Sequence, residues 1–131
     1  MTRKLRALAS LLAVALLFSG SSFAHHAWVG YDMSNITSLQ GTVTKFDWEN
    51  PHVWMEFDVP GANGGIANWS GGGPSPNRME RTGWDKNTVK PGDRITVYGN
   101  RITDGTNKMR LVKVVLPDGR ELMCYGRPGG G

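Results

Sequence analysis

Two adjacent histidines, His25 and His26, are the residues of this sequence best suited to chemistry. They follow Ser22-Phe23-Ala24, a small-x-small tripeptide typical of signal-peptidase sites. Cleavage after Ala24 would place a free α-amine and an imidazole on one residue, with a second imidazole beside it. Nitrogen-rich sites of this kind favour Cu(II), which also heads the affinity order of the divalent first-row metals. The pair therefore predicts a metal site, with copper as the preferred ion.

The ligands can be arranged in two ways. Either the amine and ring of His25 chelate the ion and the ring of His26 joins them, or the amine, the intervening amide nitrogen and the ring of His26 bind it. An α-amine has a pKa of about 7.7–8.0, so proton competition at neutral pH is modest. His52 is the one further histidine that the sequence offers to such a site. Auxiliary candidates are Asp32, Met33, Glu49 and Glu56.

These histidines also have a structural interpretation. His25 and His26 would then be only a polar start to the mature chain, and His52, after Asn50-Pro51, would hydrogen-bond the backbone of a turn. The sequence alone does not decide between metal binding and a structural role for these histidines.

The N-terminus has the three parts of a secretory signal peptide. Arg3, Lys4 and Arg6 precede a small and apolar run over 7–18, which is too short to cross ~30 Å of hydrocarbon. No later apolar stretch approaches spanning length. The sequence therefore predicts a periplasmic protein, cleaved after Ala24. We divide the chain into a signal peptide (1–24), an N-terminal arm (25–37), a β-barrel domain (38–126) and a flexible tail (127–131).

Charge and cysteine content limit the partners and the stabilising bonds. The chain has 15 Lys and Arg against 11 Asp and Glu, but three of the basic residues belong to the signal, which leaves 12 against 11. A net charge of +1 argues against nucleic acid and leaves a cell-envelope protein or a glycan as the expected partner. Cys124 is the one cysteine, so no internal disulfide can form, and its neighbours Leu122 and Met123 predict a buried thiol.

The region after the arm is patterned as β-strand. Leu39, Gly41 and Val43 alternate with polar residues, and the apolar phase then slips, because Phe46 and Trp48 continue on the other parity. A slip of this kind predicts a bulge or a sharp bend in a long first strand.

The second strand has the cleanest pattern. Strict period-two alternation over 52–59 predicts a half-buried antiparallel strand. His52, Trp54 and Glu56 lie on its polar face, so Trp54 and Glu56, with the nearby Trp48, are candidate residues for binding a ligand or partner. The apolar face consists of Val53, Met55, Phe57 and Val59.

The remaining elements complete a small barrel. We expect a third strand over 66–70, a flexible break at 71–73, and a helix over 76–82 with Ser75 as N-cap and Gly83 at C′. Met79 and Trp84 are expected to pack on the core, and two or three further strands follow. This order predicts a mainly β, five- to six-stranded barrel like the oligonucleotide/oligosaccharide-binding (OB) fold, with one short helix between strands three and four. A split barrel or a small sandwich is the alternative.

Several motifs run through the mature chain in a fixed order: Ala24-His25-His26, Gly41-Thr42-Val43, Trp48-x-Asn50-Pro51-His52, Trp69, Gly83-Trp84, Lys90-Pro91-Gly92-Asp93 and Leu116-Pro117-Asp118-Gly119-Arg120. With these motifs the chain resembles domain-of-unknown-function family 6152, a family of small exported bacterial proteins. The resemblance implies an export signal and a small β-barrel, and it brings no activity. The chain departs from the family pattern after Trp69, where Ser70-Gly71-Gly72 replaces an acidic residue.

Two functions follow from these observations. The first is a periplasmic metal-binding protein that uses His25, His26 and His52. The second is a non-catalytic binding module for an envelope protein or glycan, with the histidines structural. We expect no enzyme, because the sequence shows no persuasive nucleophile with a histidine and carboxylate. A copper-dependent oxidative activity at the N-terminal histidines is the alternative.

The cleavage site can be tested directly. Intact-mass measurement of the exported protein should give a chain that begins at His25, because the small residues before it fit the peptidase. A mature chain that begins at any other residue would remove the amine chelate.

Overall fold

The computed structural model describes residues 28–126. The predicted signal peptide, His25, His26 and the predicted tail therefore lie outside the described residues. Within this range the chain forms one six-stranded sheet and one short helix. The elements are β1 (Thr37–Asp47), β2 (Trp54–Pro60), β3 (Ile66–Gly72), α1 (Pro76–Glu80), β4 (Arg94–Arg101), β5 (Lys108–Val115) and β6 (Glu121–Met123).

The sheet closes on itself. Its strand order is β3-β2-β1-β4-β5-β6, and β3 also pairs with β5 in parallel. This last pairing completes a five-stranded barrel, and β6 is added to the later half of β5. The helix lies between β3 and β4 in the chain. The structure therefore confirms the predicted mainly β, OB-like barrel. No helix between residues 28 and 126 is long and apolar enough to cross a membrane.

The predicted bulge in the first strand is present. The register of β1 against β2 shifts between Val43 and Lys45. Before the shift Val43 pairs with Phe57, and after it Phe46 pairs with Met55. One extra residue changes the parity of the strand, so apolar side chains on both sides of the bulge face the barrel interior.

The core follows the predicted apolar positions. Val53, Met55 and Phe57 are completely buried. Met79 and Trp84 pack inward as expected, and the indole Nε1 of Trp84 donates to the carbonyl oxygen of Met123 at 3.0 Å. The rest of the core comprises Val43, Trp69, Val89, Ile95, Val97, Met109, Leu111, Val114, Leu116 and Cys124.

The thiol of Cys124 is buried as predicted. Burial raises the pKa of this thiol to about 12. Because only the thiolate is a good nucleophile or metal ligand, Cys124 is an inert packing residue at neutral pH.

The predicted flexible break at 71–73 is wrong. Gly71 and Gly72 are the last residues of β3, where they pair with Met109 and Arg110 of β5. Gly73 donates its N–H to the backbone of the segment before β2. All three glycines are buried. They are required because neighbouring side chains occupy the space of a Cβ atom, and they do not act as a hinge.

Two element boundaries also differ from the prediction. The helix ends at Glu80, and Ser75 caps it without a side-chain hydrogen bond. The second strand begins at Trp54, because the N–H of Val53 is bonded to the carbonyl oxygen of Pro74 in the β3–α1 loop at 3.0 Å.

At Gly41, β1 and β2 lie so close together that there is little space for a side chain. A Cβ at Gly41 would lie 2.6 Å from the carbonyl oxygen of Asp58 and 3.1 Å from the ring of Phe57. Because backbone atoms cannot move aside easily, we expect Gly41→Ala to lower the free energy of unfolding by about 1–3 kcal/mol. Urea unfolding measures this loss. Gly65→Ala is the matched control, since a Cβ there meets no heavy atom within 4 Å. Equal midpoints for the two variants would contradict the close approach.

Candidate functional site

His52 lies two residues before β2 and is held rigidly there. Its Nδ1 lies 3.1 Å from the carbonyl oxygen of Gly73. The next residue, Val53, accepts a bond from the N–H of Gly73 at 2.8 Å and donates to Pro74 at 3.0 Å. The segment that carries the ring is therefore fixed by three bonds to the loop after β3.

The bond to Gly73 also selects the tautomer of His52. A carbonyl oxygen can only accept, so Nδ1 carries a hydrogen, and in the neutral ring Nε2 is then the nitrogen with the lone pair. Among residues 28–126, Nε2 has no hydrogen-bond partner. An imidazole whose one nitrogen donates to a backbone carbonyl while the other is a free base has the usual arrangement of a metal-binding histidine.

The indole of Trp28 packs beside this imidazole. The two rings are 5.3 Å apart at an interplanar angle of 62°. Trp28 also contacts Tyr31 edge-on at 5.3 Å and Trp54 at 6.5 Å. It lies over Gly72, where a Cβ would come within 2.9 Å of both indoles. Trp28 and Tyr31 thus anchor the described part of the N-terminal arm to the barrel.

Backbone bonds hold the following residues to the β4–β5 hairpin. The N–H of Asp32 donates to the carbonyl oxygen of Arg101 at 2.8 Å, and the carbonyl oxygen of Gly30 accepts from the N–H of Thr103 at 2.8 Å. Tyr31 forms an isolated bridge with Ile102. The arm is thus part of the folded domain from residue 28 onward.

One row of residues crosses four strands beneath Trp28. Trp54 pairs with Gly72, Gly72 with Arg110, and Arg110 with Asn100. Trp54 and Arg110 each lie between two buried residues, so their side chains face the outside of the barrel, whereas Asn100 is buried. Gly72 leaves a gap in the row, which the indole of Trp28 fills.

The structure separates the other candidate residues. Glu56 lies on the outer surface two residues after Trp54, opposite Lys45 of β1 and Ser70 of β3. Trp48, in contrast, packs against Phe46 and the core, with ring centroids 5.8 Å apart. The three residues proposed for ligand binding therefore do not form one surface.

The auxiliary metal candidates are not gathered around His52. Asp32 accepts hydrogen bonds from Ser34 and Asn35, which lower the pKa of its carboxyl group and occupy both of its oxygens. Met33 and Glu49 are exposed. Among residues 28–126, no three His, Cys, Asp or Glu side chains are placed to hold a metal ion. A three-ligand site at His52 would therefore need His25 and His26, which lie outside the described residues.

Sequence reasoning did not identify Arg110 and Tyr125. The guanidinium carbon of Arg110 lies 3.7 Å from the centre of the Tyr125 ring and 6.0 Å from that of Trp28. The alternation of β5 gave one signal, because Arg110 lies between the apolar Met109 and Leu111 and must face outward. Nothing in the sequence shows that Tyr125 lies beside it.

The fold and this surface define an OB-like barrel whose N-terminal arm is packed onto its outer face. The sequence profile of a family of unknown function (DUF6152) matches residues 13–110. This match covers most of the chain, so the protein belongs to that family. A search of curated proteins finds no match to the chain.

The packing of Trp28 depends on the missing side chain at Gly72. We expect Gly72→Ala to displace the indole, since the new methyl group would overlap both Trp28 and Trp54. The near-ultraviolet circular dichroism of the tryptophans should weaken, and the emission maximum should shift to longer wavelength. Gly65→Ala is again the control. Unchanged spectra in Gly72→Ala would show that Trp28 does not occupy this position in solution.

Proposed function

We propose that the exported form of this protein binds Cu(II) through His25, His26 and the Nε2 of His52. One observation carries the proposal: the His52 ring is held in the tautomer of a metal ligand directly beside Trp28. Trp28 is only two residues after His26 in the chain. Because two residues span at most about 7 Å, the chain length permits His26 and His52 to share an ion.

The neighbours of His52 support this role. The Gly73 carbonyl fixes the direction in which Nε2 points, and the edge of Trp28 limits rotation of the ring. Preorganisation of this kind reduces the entropy lost when a ligand side chain is immobilised. The remaining nitrogens would come from the α-amine and imidazoles of the processed N-terminus, and a set of nitrogen ligands suits Cu(II).

Export is part of the same proposal. The amine exists only after cleavage at Ala24, so the precursor lacks one of the ligands. Copper binding would then be confined to the compartment where the signal peptide is removed. The n-region and apolar run at residues 3–18 support export to the periplasm.

The alternative function, a binding module centred on Trp54, has weaker support. Trp28 lies against Trp54, and Trp48 faces the core. The aromatic surface that a glycan or partner protein would use is therefore partly covered by the arm. We accordingly place metal binding first.

Copper titration of the processed protein tests the proposal. Binding should quench tryptophan emission, because Trp28 is in contact with His52. His25→Ala and His52→Ala should each weaken binding by at least about tenfold, since each removes a proposed nitrogen ligand. Acetylation of the processed N-terminus keeps every imidazole and removes the basic amine, so it should also weaken binding.

The controls separate binding from folding. Urea unfolding of the copper-free variants shows whether His52→Ala retains the barrel. Trp54→Phe leaves all three histidines in place and should bind copper as the unsubstituted protein does. Equal copper affinity in the unsubstituted protein, His25→Ala and His52→Ala would refute the proposed site.

A further inference from the structure

The first half of β1 has a strand on one side only. β1 pairs with β2 from Thr42 onward, where Thr42 lies opposite Asp58. The residues of β1 before Thr42 pair with β4 alone. A groove of about 660 Å³ lies where β1 and the end of β2 diverge. The beginning of β1 is therefore an edge strand.

One bonded pair shows which way the backbone groups of β1 point. The N–H of Val43 donates to the carbonyl oxygen of Asp93 at 2.9 Å, and its own carbonyl oxygen accepts from the N–H of Gly92 at 2.8 Å. Both groups of Val43 thus point toward the start of β4, and so do those of every second residue before it, because the direction alternates along a strand. The N–H and C=O groups of Ser38 and Gln40 point the other way, into the groove, where no strand within residues 28–126 pairs with them.

Pro60 explains why β2 does not cover this edge. If the register of β1 and β2 continued beyond Asp58, Gln40 would lie opposite Pro60. Such a pair would need an N–H from Pro60 to the carbonyl oxygen of Gln40, and proline has no N–H. Pro60 instead remains paired with Ile66 of β3 on its other side. The edge of β1 is left open as a result.

The two walls of the groove differ in chemistry. Leu39 and Val59 line it on the side of the core, whereas Arg94 and Thr96 of β4 line it on the outer surface. A strand laid along β1 would turn alternate side chains toward these two walls. The groove therefore fits an extended peptide in which apolar and polar residues alternate.

Arg94 gives the groove its charge. Its side chain is exposed and forms no ion pair within the described part of the chain. The neighbouring carboxylates are already engaged, since Asp93 is paired with Lys90 and Asp58 accepts from the amide of Asn68 at 3.0 Å. Two copies of the protein joined along this edge would place two Arg94 side chains on one groove, and like charges repel. An acidic partner strand is therefore favoured over a second copy.

We propose that the open edge of β1 binds an extended acidic segment of a partner polypeptide as an added strand. The segment forms backbone hydrogen bonds with Ser38 and Gln40, turns an apolar side chain toward Leu39 and Val59, and presents carboxylates on the side of Arg94. In this mode of recognition the backbone bonds provide affinity and the alternate side chains provide specificity.

This surface is distinct from the proposed copper site. His52 precedes Trp54, the first residue of β2, whereas Pro60 is the last. The two ends of the strand are about 20 Å apart at the usual rise per residue. Peptide binding at the edge of β1 therefore does not depend on copper.

Amide nuclear magnetic resonance of the full processed protein tests the proposal. The probe is a blocked pentapeptide in which glutamate alternates with valine, and the same peptide with lysine in place of glutamate is the charge control. We expect the glutamate peptide to give saturable shifts and to slow hydrogen exchange at the amides of Ser38 and Gln40. The amides of Leu39 and Gly41, which face β4, should be protected already in the free protein and change little.

Variants separate the charge from the backbone bonds. Arg94→Gln should raise the dissociation constant of the glutamate peptide about two- to fivefold, as expected for one exposed charge pair. Arg81→Gln makes the same change on an exposed arginine at the end of α1 and should have no effect. Gln40→Pro removes an N–H that faces the groove and should abolish binding. If urea unfolding shows that Gln40→Pro does not fold, the exchange pattern of the unsubstituted protein decides.

Several results would overturn the proposal. No saturable response to the glutamate peptide, or equal binding of the lysine peptide, would remove the acidic strand as the occupant. Exchange that slows equally at all four amides would contradict pairing along this edge. Protection of Ser38 and Gln40 without peptide, in a dimer that forms as the protein concentration rises, would make a second copy the occupant.

Discussion

The parallel pairing of β3 with β5 is the contact on which this surface depends. Its register places Gly72 between Trp54 of β2 and Arg110 of β5, and so leaves a gap in an otherwise continuous row of outward side chains. The indole of Trp28 occupies that gap. The strand pairing that closes the barrel thus also forms the surface gap into which Trp28 of the N-terminal arm packs. A side chain at Gly72 would interfere with both neighbouring indoles.

Trp28 consequently separates two polar environments. On the side of β2 it contacts His52, whose Nδ1 is bonded to the backbone carbonyl of Gly73. On the side of β5 it faces Arg110, which is stacked on Tyr125. The first environment contains the histidine of the proposed metal site, and the second contains a guanidinium group stacked on an aromatic ring. The indole of Trp28 lies between these two environments, and the arm that carries it begins beside the predicted cleavage site.

Much of the barrel could be predicted because its patterns are local. The alternation of Val53, Met55 and Phe57 fixes the inner face of β2, and the change of phase before Phe46 shows the bulge. The glycines at 71–73 were misjudged for a physical reason. A glycine run has the same sequence whether the chain needs flexibility or lacks space for side chains. The two cases differ only in the neighbours, here Leu111, Trp28 and Met79, which are distant in sequence.

The sequence alone determined the residue types able to do chemistry, the small net charge of residues 25–131, and the β-barrel class, since these depend on composition and on short-range periodicity. Only the tertiary structure decided what surrounds each candidate. Gly73 selects the tautomer of His52 from 21 residues away, and Tyr125 meets Arg110 across the turn between β5 and β6. Trp48 and Trp54 are similar residues close together in the sequence, yet one faces the core and the other the outer surface. Contacts of this kind arise when strands pair, so no local pattern records them.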